Sequence, residues 1–228
     1  MKTIILALFL FGLATPAFAT SRQELDNRIL TLTAKFDALQ RKPDKCIPRE
    51  TLAKAKGIIL LDRTKAGFIF AYQGGGGVAM VKDASGNWSP AAFLSANEAS
   101  LGFQIGGEQN FYVMLLMTTN ATEALTRERS DFGGEARGTG GDKSEGVGRS
   151  FTPEDESVIV YTDRKGVFGA AAIKGGVVAP DDEANAIYYG QAVSMRDILF
   201  DKEVKATETA ADLARKISDH AKDKSNEE

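Results

Sequence analysis

The sequence predicts an α+β fold, with an antiparallel, β-rich core built as a twisted sheet or partial barrel and flanked by N- and C-terminal amphipathic helices. Three observations carry this prediction. Apolar residues recur at intervals of three and four near both ends of the chain, and short apolar runs fill the middle. Those runs are joined by turns rather than by full helices, which favours antiparallel over parallel pairing.

The first nineteen residues read as an export leader. Lys2 gives a positive start, positions 4–13 are apolar except for Gly12, and Ala17-Phe18-Ala19 is a small-x-small cleavage site. The run is shorter than the ~20 apolar residues of a membrane-spanning helix. The mature chain is expected to begin at Thr20 and to reside in the periplasm or outside the cell, with peripheral attachment to a membrane as a further option. Cys46 lies too far inside to take a lipid anchor at the cleavage point. The organisation is then a leader over 1–19, an amphipathic helix and connector over 20–46, the main domain over 47–222 and a frayed tail over 223–228.

Leu25, Ile29, Leu32, Phe36 and Leu39 share one face of a helix over 21–40. Covering the domain's own sheet is the leading task for that face; entry into a membrane or a partner's groove is the alternative. Pro43 and Pro48 bound a connector, and 52–56 is a helical turn ended by Gly57. Strands are expected at 58–61, 67–72, 78–82, 101–105, 111–117, 158–162, 167–173 and 177–179. Asp83-Ala84-Ser85-Gly86-Asn87 and Asp163-Arg164-Lys165-Gly166 have the composition of hairpin turns. Further helices are expected over 120–129, capped by Thr119 or Asn120, from Asp181 to about Gly190, and over 204–221, where Ala210, Leu213, Ala214 and Ile217 form a stripe. The polar, glycine-rich stretch 132–149 reads as a loop or a poorly packed strand pair.

Composition narrows the functional classes. A formal net charge of −3 argues against a nucleic-acid partner, which calls for a basic excess. With one Cys the fold has no internal disulfide. The single His, His220, stands near the charged terminus, where the sequence predicts a fraying tail and a poorly anchored catalytic base. One Cys and one His cannot supply a zinc site. Gly74 to Gly77 lacks the Gly-Lys-Ser/Thr continuation of a phosphate loop and reads as a close backbone approach or a bulge. Asp62, Glu98 and Glu108 are the carboxylates an enzyme would draw on, but no spacing pairs them. No cofactor, no metal and no catalysis are expected.

Ile47-Pro48 and Leu52-Ala53-Lys54-Ala55-Lys56-Gly57-Ile58 open a series of motifs that continues through Lys65-Ala66-Gly67-Phe68 and the glycine run to Gly77-Val78. It goes on through Gly86-Asn87-Trp88-Ser89-Pro90-Ala91, Gly102-Phe103-Gln104-Ile105-Gly106-Gly107-Glu108, Lys165-Gly166-Val167-Phe168-Gly169, positions 185–190 and Asp197-Ile198-Leu199-Phe200. In this order and spacing, over about 47–201, the chain resembles the SYLF domain family. The resemblance implies a non-enzymatic α+β module that binds anionic lipid at a membrane surface, with phosphoinositide-like headgroups as the family's ligands. It places a basic, membrane-facing patch near the first strand, so that Lys54, Lys56, Arg63 and Lys65 are candidate lipid contacts; the amphipathic helix over 21–40 would be the second contact, with Ile29 and Phe36 as candidate insertions if it can leave the core. The family's actin-regulator role is not expected of an exported chain. Two departures stand out: Gln73 and an unbroken Gly74 to Gly77 stand where the family usually has an Arg or another polar residue followed by Gly-Gly-Ser-Gly, and 137–149 is polar where the family has an apolar strand. The alternative reading is a periplasmic scaffold that binds another envelope protein without touching lipid. The sequence leaves the oligomeric state open.

Overall fold

The computed structural model describes residues 20–63, 74–97, 110–127, 130–132, 157–162, 166–168 and 176–222. Its strands are β1 (Gly57–Arg63), β2 (Gly74–Val81), β3 (Ala92–Asn97), β4 (Asn110–Leu116), β5 (Ser130–Phe132), β6 (Val158–Thr162), β7 (Gly166–Phe168) and β8 (Gly176–Pro180). They form one open sheet in the order β5-β8-β3-β2-β1-β4-β6-β7, and every neighbouring pair is antiparallel. The helices are α1 (Arg22–Gln40), α2 (Arg49–Lys54), α3 (Thr119–Glu123), α4 (Asp182–Tyr189), α5 (Met195–Leu199) and α6 (Glu208–Ala221). The fold is α+β, as its alternation of turns and apolar runs requires.

Both faces of the sheet are buried. Ile58 and Leu60 of β1, Val78 and Met80 of β2 and Phe93 of β3 face a layer made by α1, α2, α4 and α6. Ile59, Leu61, Ala79, Leu94 and Met114 face the other way, where Ala121, Ile198 and Leu199 of the short helices α3 and α5 meet them. A strand buried on both faces has no polar side to alternate with, so β1 and β4 read as continuous apolar runs. Val78 to Val81 continues β2 in the same way, but its first half is the glycine run. At Gly77 the reason is steric: a Cβ there would stand 2.4 Å from the Leu60 carbonyl oxygen. At Gly76 it would stand 3.0 Å from the Arg28 guanidinium, which lies over the strand. The run is thus strand interior with a close backbone approach. Gly86 closes the β2-to-β3 turn at φ +82, and Gly190 ends α4 at φ +70, both in the left-handed region that glycine tolerates.

Helix α1 begins at a capping box in which the Glu24 N–H donates to Ser21 Oγ at 3.2 Å and the Ser21 N–H donates to Glu24 Oε2 at 2.8 Å. Polar ties then fix it on the rest of the fold. Asp26 accepts from Tyr188 Oη at 2.8 Å and from Thr209 Oγ1 at 2.9 Å, joining α1 to α4 and α6. Burial, the leading cause, pushes the Tyr188 phenol up to about 12. Lys35 pairs with Asp62 of β1 at 2.5 Å, and Asp37 accepts from both Lys216 and His220 of α6.

Several expectations need correction. His220 stands in the last turn of α6, edge-on to Phe36 and with its Nε2 3.0 Å from Asp37, so it is anchored in the helix expected to reach 221 and does not sit in a fraying tail. β3 and β5 are strands that the sequence did not announce; β3 has little β-branched content and is made a strand by pairing with β2 on one side and β8 on the other. The helix expected over 120–129 stops at Glu123 and continues as one 3₁₀ turn over Ala124–Thr126, and its cap is Thr118. The last helix begins at Glu208, after the Thr207 cap, rather than at 204. The strands expected at 67–72 and 101–105, and nearly all of 132–149, lie outside the described residues.

Two consequences are measurable. Gly77→Ala forces its methyl into backbone and is expected to cost about 1–3 kcal/mol, whereas Gly76→Ala meets only a movable guanidinium and costs less; urea midpoints of the two variants rank them. For Asp37, burial raises the carboxyl, but the hydrogen bonds and charges of Lys216 and His220 outweigh it and hold the group below its ordinary 3.8. A depressed folded value means stability present above 3.8 and lost as pH falls through that lower value. Asp37→Asn should therefore flatten the acid side of a stability-against-pH curve measured from pH 7 downward.

Candidate functional site

The surface with the clearest chemical character runs from the end of α1 through α2. Positions 41–56 hold six bases, Arg41, Lys42, Lys45, Arg49, Lys54 and Lys56, against two acids, Asp44 and Glu50, in a chain of net charge −3. All six bases except half-buried Lys45 are exposed. Their presentation follows from how the segment is anchored. The Cys46 N–H donates to the Lys42 carbonyl at 2.8 Å and closes a turn after α1, while the Ile47 N–H donates to Gln40 Oε1 at 2.8 Å and the Ile47 side chain is buried. Thr51, Leu52 and Ala55 then face inward, which turns Lys54 and Lys56 outward. The Lys56 N–H donates to the Leu116 carbonyl at 2.8 Å, and its ammonium reaches Thr119 Oγ1 at 3.3 Å.

The structure separates the residues that the sequence grouped. Lys54 and Lys56 precede β1, whereas Arg63 ends it, and seven extended residues at ~3.3 Å each put the two ends on the order of 20 Å apart. They do not make one patch. Lys65 lies outside the described residues. Ile29 and Phe36 are both 0% exposed, packed in the core beneath α1 with Leu25 and Leu32. In this arrangement they serve the fold and face no solvent. Arg41, Lys42, Lys45 and Arg49 escaped the sequence reading because two prolines made the stretch look like a plain connector. A running sum of charge would have found them.

Carboxylates that might suggest catalysis are occupied with structure: Asp62 with Lys35, Asp37 with α6, Asp181 with Arg28 at 3.8 Å. Glu98 and Glu108 lie outside the described residues. Among the described residues no group of three or more His, Cys, Asp or Glu side chains could hold a metal, and no helix is long and apolar enough to cross a membrane.

An open antiparallel sheet sandwiched between helices defines a module of α+β class, and here an outward-facing basic segment follows its first helix. Residues 97–220 match the Ysc84 family, described as Las17-binding protein actin regulator. The chain belongs to this family, which is the SYLF family that its motifs resemble. It is 30% identical over 160 residues to the human SH3 domain-containing YSC84-like protein 1, a match covering 69% of this chain and 47% of that protein. It is 29% identical over 186 residues to protein YSC84 of Saccharomyces cerevisiae, covering 78% and 39%, and 29% identical over 164 residues to the yeast LAS seventeen-binding protein 3, covering 68% and 35%. The chain thus spans half the length or less of these relatives. The basic segment 41–56 precedes the residues that match the family.

Truncating Phe36 tests its placement. Phe36→Ala should lower stability by about 3–5 kcal/mol, seen as a large fall in Tm; an unchanged Tm would mean that the ring is not part of the core.

Proposed function

We propose that the protein is a non-enzymatic module, exported by its leader, that docks peripherally on anionic lipid surfaces through the basic segment 41–56. The observation that carries the reading is the concentration of positive charge in one short, largely exposed segment of an otherwise acidic chain. Each Lys or Arg near an anionic leaflet contributes about 1 kcal/mol, so six of them provide useful affinity without any inserted helix. The burial of Ile29 and Phe36 favours electrostatic docking over insertion. Phosphoinositide-like headgroups are the ligand class suggested by the SYLF resemblance. The engagement of Asp37, Asp62 and His220 in ties between elements supports the absence of catalysis.

A second reading has its own support. Relatives named as Las17-binding proteins are protein binders, so the same basic face can be read as a scaffold for an acidic partner protein.

Co-sedimentation of the chain from Thr20 onward with neutral and anionic vesicles, at low and high salt, separates the two. Lipid docking predicts binding to anionic vesicles alone, weakened by salt as exposed charges are screened. The double change Lys54→Glu and Lys56→Glu should lower it at least about tenfold. No binding to either vesicle would retire the lipid reading and leave the protein scaffold.

A further inference from the structure

We propose that Lys82 is the positioning residue of this basic face: it holds the backbone of 52–56 so that Lys54 and Lys56 point outward. The inference rests on the lipid-docking reading for its function, but the holding itself stands on geometry. Helix α2 is only six residues long, and its last carbonyls have no partners within the helix. Lys82, directly after β2, supplies them. Its ammonium donates to the Ala53 carbonyl at 3.0 Å and to the Leu52 carbonyl at 3.4 Å, and its backbone N–H donates to the Lys56 carbonyl at 2.7 Å. One residue therefore grips the segment on both sides of Lys54.

The grip is itself held. The Lys82 ammonium lies 4.8 Å from the centre of the Trp88 ring, a cation–π contact, and Lys82 bridges to Trp88 across the hairpin. The Trp88 Nε1–H donates to Ser218 Oγ of α6 at 3.2 Å. A cation at the C-terminal end of a helix also meets the negative end of its dipole. Burial lowers the Lys82 pKa from its ordinary 10.5, the mark of an ammonium drawn partly out of water. Unlike Lys54 and Lys56, Lys82 is half-buried and directed inward, so its task is to orient its neighbours.

Lys82→Met keeps the stem beneath Trp88 and removes the donor; Lys82→Arg keeps the charge and donors. Lys42→Met, an exposed site in the same basic segment, measures the loss of one charge alone. Vesicles of phosphatidylcholine with phosphatidylglycerol serve as the lipid probe, and amide exchange of Ala55 and Lys56, whose N–H groups donate to Thr51 and Leu116, reports the holding. Lys82→Met should speed that exchange about tenfold, the effect of losing hydrogen bonds from a charged donor, and weaken vesicle binding more than Lys42→Met does, with Lys82→Arg restoring both. Unchanged exchange, or vesicle binding no weaker than that of Lys42→Met, would overturn the proposal. If the wild-type chain ignores the vesicles, the lipid reading fails instead, and the exchange arm alone decides whether Lys82 holds the segment.

Discussion

The apolar stripe of α1 and the sheet face beneath it form the contact on which the rest depends. Leu25, Ile29, Leu32, Phe36 and Leu39 are at most 1% exposed. At about 1.5–3 kcal/mol for each such side chain fully buried, the stripe contributes on the order of 10 kcal/mol, comparable to the whole net stability of a typical domain. Removing α1 would also uncover part of the sheet face that holds Ile58, Leu60, Val78 and Met80, which α2, α4 and α6 share with it. The helix is therefore not an appendage ahead of the domain but one of its walls. Its ion pairs and hydrogen bonds to β1, α4 and α6 set where along the sheet it lies; the apolar contact sets that it stays.

Once that stripe is committed inward, the outer surface of the described residues exposes one large apolar side chain, Leu30, and otherwise offers mainly charge. The exposed turn after α1 carries it, and the rest of the chain is acidic. Such a molecule approaching a negative surface is oriented before it touches, because the basic turn is drawn in while the acidic remainder is pushed away. Orientation of this kind needs no conformational change, which suits a wall helix that cannot be released cheaply.

How much of this was legible in the sequence depended on the strength of each local signal. α1, β1, β4 and β6 carry long, regular apolar patterns, and the turn at Gly86 has its own chemistry, so all were readable. β3 was not, since its strand character comes from β2 and β8 on either side, and α5 is a single short turn whose capping box at Ser194 and Asp197 is evident only once the structure is seen. The site was half legible. Lys54 and Lys56 were found by their closeness to the first strand, but the same closeness wrongly drew in Arg63, because sequence neighbours seven residues apart are neighbours in a helix and strangers along a strand. The four bases of 41–49 were hidden by the prolines around them, though their charge was there to be summed.

The division of labour among the ionisable groups makes the surface open to change without loss of the fold. Asp37, Asp62 and Asp181 pair across elements and are at most one-quarter exposed, so altering them loosens the assembly of α1 with β1, α4 and α6. Arg41, Lys42, Lys54 and Lys56 stand in solvent, where ion pairs are typically worth less than about 1 kcal/mol. Lys82 belongs to neither set: its charge faces inward like the first, yet the backbone it holds carries the second. It is the point at which packing and surface charge meet, and a change there reaches the outer face through α2 while leaving the sheet and α1 in place.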